Sequence, residues 1–146
     1  QIHERKRQFI RTAMFPVVEA DGADRFTVLT DSKWLGFVID QLTSNALKYG
    51  AQSGEAGGRI IYRLHANGQT ITLAITDQGP GIPQEDLPRI WEPFFTGHNG
   101  RRYAGATGIG LSLVRQVMDR LDHQIAVNSQ VGAGTTFTLA FRLTKL

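Results

Sequence analysis

Cysteine is absent from the 146-residue chain, which excludes disulfide staples and thiolate-held metal ions and suits a reducing compartment. No apolar run approaches the roughly 18 residues of a membrane-crossing helix. The opening QIHERKRQF lacks the basic-then-apolar order of a signal peptide, so a soluble chain is expected. Charge of one sign is not in large excess either: 16 Lys and Arg against 13 Asp and Glu leave a net +3. Much of that excess sits in Arg5, Lys6, Arg7 and Arg11 and reads as a solvated basic helix, not as a nucleic-acid surface. The phosphate-loop pattern GxxxxGK(S/T) is missing. GATGIG has the wrong glycine spacing for G-x-G-x-x-G, and no acidic residue ends a second parallel strand about 20 residues on. What remains is a chain with 41% hydrophobic residues, enough for one compact domain with its own core.

The periodicity alternates between 2 and 3.6 residues, the pattern of a mixed α/β domain. Residues 1–13 read as the end of a helix, stopped at Pro16 because proline disfavours helical geometry in the residue before it. Phe26 to Thr30 reads as a short strand. Asp31 or Ser32 can cap the next helix, whose apolar stripe is Leu35, Val38, Ile39, Leu42 and Ala46, with Gly50 closing it. A polar, glycine-rich loop runs from Gln52 to Gly58. Arg59 to Ala66 and Thr70 to Thr76 flank Asn67-Gly68 as a hairpin, with Ile71, Leu73 and Ile75 facing the core. Residues 78–107 are irregular, with a short helical stretch near Glu85 to Trp91; so long a connection is more often functional than accidental. A last helix opening at Gly108 presents Leu111, Val114, Met118 and Leu121 on one face. Strands at about Gln124 to Ser129 and Thr135 to Leu143, joined at Gly132-Ala133-Gly134, complete the sheet.

Several polar residues do not fit a merely solvated role. Gln41, Asn45 and Lys48 are spaced by four and then three residues, so they project along one side of a helix, with Tyr49 adjacent. The asparagine has apolar neighbours and the lysine lies one turn on, offering a neutral oxygen to Mg²⁺ and an ammonium to phosphate. Asp77 ends a strand just before Gly79, Pro80 and Gly81. Gly108 and Gly110 can leave backbone N–H groups open at a helix start, where the helix dipole also favours anions.

Four separated segments, FVIDQLTSNALKYG, DQGPGIP, WEPFFTG and GATGIGLSLV, resemble in this order the N box, first glycine box, F box and second glycine box of the ATP-binding domain of bacterial sensor histidine kinases. That domain is a member of the Bergerat-fold, or GHKL, superfamily. The resemblance runs from about Asp31 to Leu143. It implies a two-layer α/β sandwich in which a mixed sheet is covered on one face by about three helices, with a mobile ATP lid at residues 96–107. It implies ATP and Mg²⁺ as cofactors, with Asn45 as the metal ligand, Lys48 on phosphate and Tyr49 lining the nucleotide pocket. The carboxylate of Asp77 would accept the adenine amine, with Thr136 near the same amine and Gly79, Gly81 and Ile82 close to the base. Phe94 and Phe95 on one side and Leu111 on the other would anchor the lid, Arg101 and Arg102 would contact phosphate, and Phe95, Thr107, Gly108, Ile109, Gly110 and Leu111 would be among the nucleotide-binding residues.

Hydrolytic members of the superfamily typically place a glutamate one turn before the asparagine. Here Gln41 stands there, and a neutral amide is a poor proton acceptor, which favours a kinase over an ATPase. The resemblance therefore implies transfer of the γ-phosphoryl to a histidine on a separate dimerisation domain of the same protein, with Gln41, Asn45 and Lys48 at the catalytic centre, followed by relay to a response regulator. KWLGFVIDQLTSNALKYG and FFTGHNGRRYAGATGIGLSLV look like the small-sensor kinases that accompany peptide-exporting ABC transporters. That implies a cytoplasmic domain of a parent anchored in the bacterial plasma membrane. The expected division is residues 1–14 as the end of a linker or upstream helix and 15–146 as the ATP-binding domain. His3-Glu4 invites an acceptor reading, but HERKRQF lacks the proline of that motif, and the span to Asp31 is too short for a helical hairpin. The alternative function is a degenerate nucleotide-binding regulator or an anti-sigma-type serine kinase.

Overall fold

The computed structural model describes residues 15–21, 28, 30–50, 59–95 and 109–142. Five strands form one sheet: β1 (Phe15–Asp21), β2 (Arg59–Ala66), β3 (Thr70–Asp77), β4 (Gln124–Gln130) and β5 (Gly134–Arg142), in the order β1-β2-β3-β5-β4. β1 pairs with β2 in parallel and every other pair is antiparallel, so the sheet is mixed, as expected. Two α-helices, α1 (Ser32–Gly50) and α2 (Gly110–Arg120), and one 3-10 turn (Leu87–Arg89) are found among the described residues. α1 and α2 pack against each other, with α1 also on β3 and α2 on β4.

β1 departs from the sequence reading. Pro16, expected only to end a preceding helix, pairs with Ile60 inside a strand. Proline tolerates this because β1 lies at the sheet edge, where a missing N–H breaks no interior ladder. The strand expected at Phe26 to Thr30 is not formed at Val28 or Thr30, and its other positions lie outside the described residues. The same holds for residues 1–13 and for the loop Gln52 to Gly58.

The remaining elements follow local chemistry. Asp31 caps α1: its Oδ1 accepts the backbone N–H groups of Lys33 at 3.0 Å and Trp34 at 3.2 Å, two of the donors a helix start leaves unpaired. In the β2–β3 turn the Asn67 side chain accepts the backbone N–H groups of Gln69 and Thr70, while Gly68 takes a φ of +92°. α2 ends on Asp122 with φ +58°, and the His123 N–H reaches back to the Met118 carbonyl at 2.9 Å. That is a left-handed helix stop made without glycine.

One face of the sheet is core and the helices cover it. Strand alternation and register stack Val127, Phe137, Ile75 and Tyr62 in one row and Ile125, Leu139, Leu73 and Leu64 in the next. Val38, Leu42, Ala46 and Leu47 of α1 and Val114 and Met118 of α2 close over these rows. Each fully buried aliphatic side chain contributes about 1.5–3 kcal/mol. Thr43 is the buried polar residue of α1, and its hydroxyl shares a 2.9 Å hydrogen bond with that of Tyr62. The opposite face carries Thr72, Ala74, Thr76, Thr136, Thr138 and Ala140, which are half-buried among small neighbours.

Candidate nucleotide site

The candidate site is built from the ends of β3 and β4, the start of β5 and the start of α2. The next row of the sheet beyond the apolar ones is polar: Asp77 pairs with Thr135, and Thr135 pairs with Ser129. All three are buried. The Asp77 carboxylate accepts the Gly79 N–H at 2.8 Å and also a backbone hydrogen bond from Thr135. Burial nevertheless dominates. It pushes the Asp77 carboxyl up from its ordinary 3.8 to about 6, against the lowering effect of those two bonds. A carboxylate held this far out of water gains from any further hydrogen-bond donor, such as a ligand N–H.

The loop after Asp77 is clamped to the β4–β5 turn. Gly81 has a φ of +78°, and a Cβ there would sit 2.1 Å from the Gln130 carbonyl oxygen. Gly134, with φ +107°, would place a Cβ 2.1 Å from the carbonyl oxygen of Asp77. Only glycine permits both approaches. The Gly132 N–H donates to the Pro80 carbonyl at 2.8 Å, the Ile82 N–H to the Ser129 hydroxyl at 2.8 Å, and the Gln84 side-chain amide to the Ser129 carbonyl at 2.9 Å.

The polar face of α1 borders the start of α2. Gln41 and Asn45 are half-buried and Lys48 is exposed. Gln41 reaches Gly110, where its Oε1 lies 2.6 Å from the point a Cβ would occupy. α2 begins at Ile109 with no side-chain cap and no acidic residue in its first turn. Its leading N–H groups are therefore not taken by a side chain of its own, in contrast to the Asp31-capped α1. Such an end suits an anion.

The F-box segment is held by aromatic contacts. Trp91 meets the Phe137 ring edge-on at 6.0 Å, and the Arg115 guanidinium of α2 lies 5.3 Å from the Trp91 ring. Arg89 sits 4.5 Å over Phe95 and pairs with Glu92 at 3.3 Å. Phe95, Ile82 and Leu111 pack against the core. Phe94 does not share the anchoring role expected of it: it is 73% exposed with a φ of +68°.

The structure thus brings Asp77, Gly79, Gly81 and Ile82 into one loop and sets Gln41 against Gly110. It moves one expected residue. Thr136 pairs with Thr76 and shares a 2.8 Å hydroxyl hydrogen bond with it on the far face of the sheet, because neighbouring strand residues point to opposite faces. Thr135 is the residue beside Asp77. The sequence reading also missed Ser129 and Gln84, for which the only local signal was a small hydroxyl residue just before the β4–β5 turn. Arg101, Arg102, Thr107 and Gly108 lie outside the described residues, as does the Tyr49 side chain.

Known proteins carry the same pattern. Residues 30–145 match the family described as "Histidine kinase-, DNA gyrase B-, and HSP90-like ATPase". The sensor histidine kinase YxdK of Bacillus subtilis (strain 168) is 37% identical over 145 residues, 99% of this chain and 43% of that protein. The sensor protein BceS of Halalkalibacterium halodurans is 48% identical over 114 residues, 78% of this chain and 33% of that protein. The chain therefore spans less than half the length of these relatives. Among solved structures, the mycobacterial sensor histidine kinase MprB superposes with a TM-score of 0.75 at 27% identity, covering 99% of this chain and 90% of that one. With the uncapped helix start, the glycine-clamped loop and the buried carboxylate in place, these likenesses lead to one conclusion: the chain belongs to the histidine kinase-, DNA gyrase B- and HSP90-like ATPase family, as an ATP-binding domain of the sensor histidine kinase branch.

Proposed function

We propose that this domain binds Mg²⁺-ATP with adenine on Asp77 and passes the γ-phosphoryl to a histidine on the dimerisation domain of the same protein, for relay to an aspartate of a response regulator. The observation that carries the reading is the buried Asp77 carboxylate, whose two backbone donors do not offset its burial. Adenine offers an exocyclic amine to such an acceptor, whereas guanine has a carbonyl at the corresponding position.

The other end of the nucleotide falls to α1 and α2. The N–H groups at the start of α2 would receive phosphate, and Lys48 would add an ammonium. Asn45 would offer its amide oxygen to Mg²⁺, an ion that takes one or two protein oxygens when triphosphate supplies the rest. The neutral donors fit, because Asn45 stands one turn beyond Gln41, whose amide oxygen already faces Gly110. When bound, Mg²⁺ neutralises charge on the triphosphate. Gln41 would orient without abstracting a proton, which suits phosphoryl transfer by position and charge. Arg101 and Arg102 are proposed phosphate contacts and Tyr49 a pocket residue.

Residues 15–146 would form the ATP-binding domain and 1–14 the end of a linker from upstream, a division supported by β1 starting at Phe15. The parent would be a membrane-anchored small-sensor kinase working with a peptide-exporting ABC transporter, with this domain in the cytoplasm. Similarity to a sensor histidine kinase and a sensor protein over most of the chain supports a sensor parent. No helix among the described residues is long and apolar enough to cross a membrane.

The test is incubation with γ-labelled ATP, alone and with the parental dimerisation region. Acid-labile label is expected only in the mixture, on the dimerisation region. Label on His3 of the chain alone would overturn the assignment. No label in either case, with ATP bound, would favour a nucleotide-binding regulator.

A further inference from the structure

Ser129 takes no part in the site as the family motifs describe it, yet it is 4% exposed and its hydroxyl is at the centre of the polar row. Three partners surround it. The Ile82 N–H donates to it at 2.8 Å, the Gly134 carbonyl lies at 2.9 Å, and the Thr135 hydroxyl lies at 2.8 Å. A serine hydroxyl has one proton and two lone pairs. A carbonyl can only accept, so the single Ser129 proton goes to Gly134. One lone pair takes the Ile82 N–H. The Thr135 contact must then run from Thr135 to Ser129, because Ser129 has no second proton to give.

Thr135 has committed its proton to Ser129 and presents only lone pairs. Its strand neighbour Asp77 accepts too when ionised. We propose that Ser129 is a positioning residue for base selection: by taking the Thr135 proton it makes the Asp77–Thr135 edge an acceptor-only surface, matched to an amino group and mismatched to a carbonyl. The same hydroxyl holds Ile82, and so the loop that follows Asp77, in register with the β4–β5 turn. In Ser129→Ala the Thr135 hydroxyl is released to rotate and can donate to a carbonyl. The Ile82 N–H loses its acceptor. ATP should lose affinity and GTP should gain relative to it.

The proposal rests on Asp77 as the adenine acceptor, and the experiment separates the two. ATP and GTP affinities are measured by calorimetry on this chain for wild type, Ser129→Ala, Asp77→Asn, the double variant and Ser129→Thr. Expected is an ATP loss on the order of tenfold in Ser129→Ala, a fall in the ATP-to-GTP affinity ratio, recovery in Ser129→Thr, and a much smaller effect of Ser129→Ala when Asp77 is already Asn. An unchanged ATP-to-GTP ratio, or an ATP loss equal in both backgrounds, would overturn the positioning role while leaving Asp77 in place. No effect of Asp77→Asn on ATP would overturn the adenine reading and this proposal with it. Should Ser129→Ala fail to fold, Ser129→Cys keeps the volume with a weak donor and acceptor, and the same ratio decides.

Discussion

At the scale of the residue, Asp77 shows how a proposed binding group can stand against stability. Its carboxyl is raised to about 6 chiefly by burial. Between the ordinary value of 3.8 and about 6 the folded chain therefore holds more protons than the unfolded one. Stability without ligand should fall as pH rises through that window and stay lower above it; the cost at neutral pH is of order 3 kcal/mol. Asp77→Asn removes the charge, so its ligand-free melting temperature at pH 8 should equal or exceed that of wild type. Its ATP affinity should be about 10- to 150-fold weaker, the worth of a charge-assisted hydrogen bond of roughly 1.5–3 kcal/mol. Melting curves and calorimetry at pH 5 and pH 8 check both halves. A variant that loses stability and keeps ATP would assign the carboxylate to the turn alone.

Elements meet at two joints that sequence proximity does not reveal. The first is the seam between the loop after β3 and the β4–β5 turn. Gly81→Ala would drive a methyl into the Gln130 carbonyl at a left-handed φ. It should lose about 2–4 kcal/mol of stability together with ATP affinity. Gly68→Ala is the control, since its φ is also positive but nothing lies within 4 Å; about 1 kcal/mol should be lost with ATP binding unchanged. Denaturant melts with calorimetry separate the two. The second joint is His123, which shares a 2.8 Å hydrogen bond with the Thr30 hydroxyl and meets the Phe141 ring edge-on at 4.8 Å, tying the approach to α1 onto β5. Burial lowers the His123 pKa from 6.5, against the raising effect of Asp122. The unfolded chain thus takes up a proton first, and the stability His123 provides is present above pH 6.5 and lost as pH falls through its folded value. His123→Gln should flatten the acid side of a plot of melting temperature against pH. Asp77 acts with the opposite sign over a neighbouring range, so the comparison is best made in the Asp77→Asn background.

For the whole molecule, the described helices cover one sheet face and the candidate site lies at the end of that layer, so nucleotide binding is expected of the domain by itself. This chain alone should bind ATP in preference to GTP, measurable by calorimetry without any partner; equal affinity for the two would remove the adenine pocket. Phosphoryl transfer is a different matter, because the acceptor histidine is proposed to lie on another domain. Adding the dimerisation region should change labelling and leave the affinity for ATP nearly unchanged.

The sequence alone determined the mixed α/β class, the hairpin at Asn67-Gly68, a helix cap at Asp31 or Ser32, the stripe of α1 and the glycine motifs. Each rests on chemistry between residues a few positions apart, and periodicity or turn preference records it directly. Tertiary structure decided the rest. Phe15–Asp21 became a strand because an edge beside β2 could accept Pro16, a fact about non-local pairing that a local helix-stop rule cannot contain. Thr135, not Thr136, faces Asp77 because the register of β3 against β5 sets which parity points inward, and a one-residue difference reverses the face. Phe94 turned outward while Phe95 packed inward, although the sequence makes them alike. Ser129 became the centre of the polar row only when two strand pairings and a loop placed Gly79, Ile82, Gly134 and Thr135 around one hydroxyl and one carboxylate; no spacing within the sequence encodes that meeting.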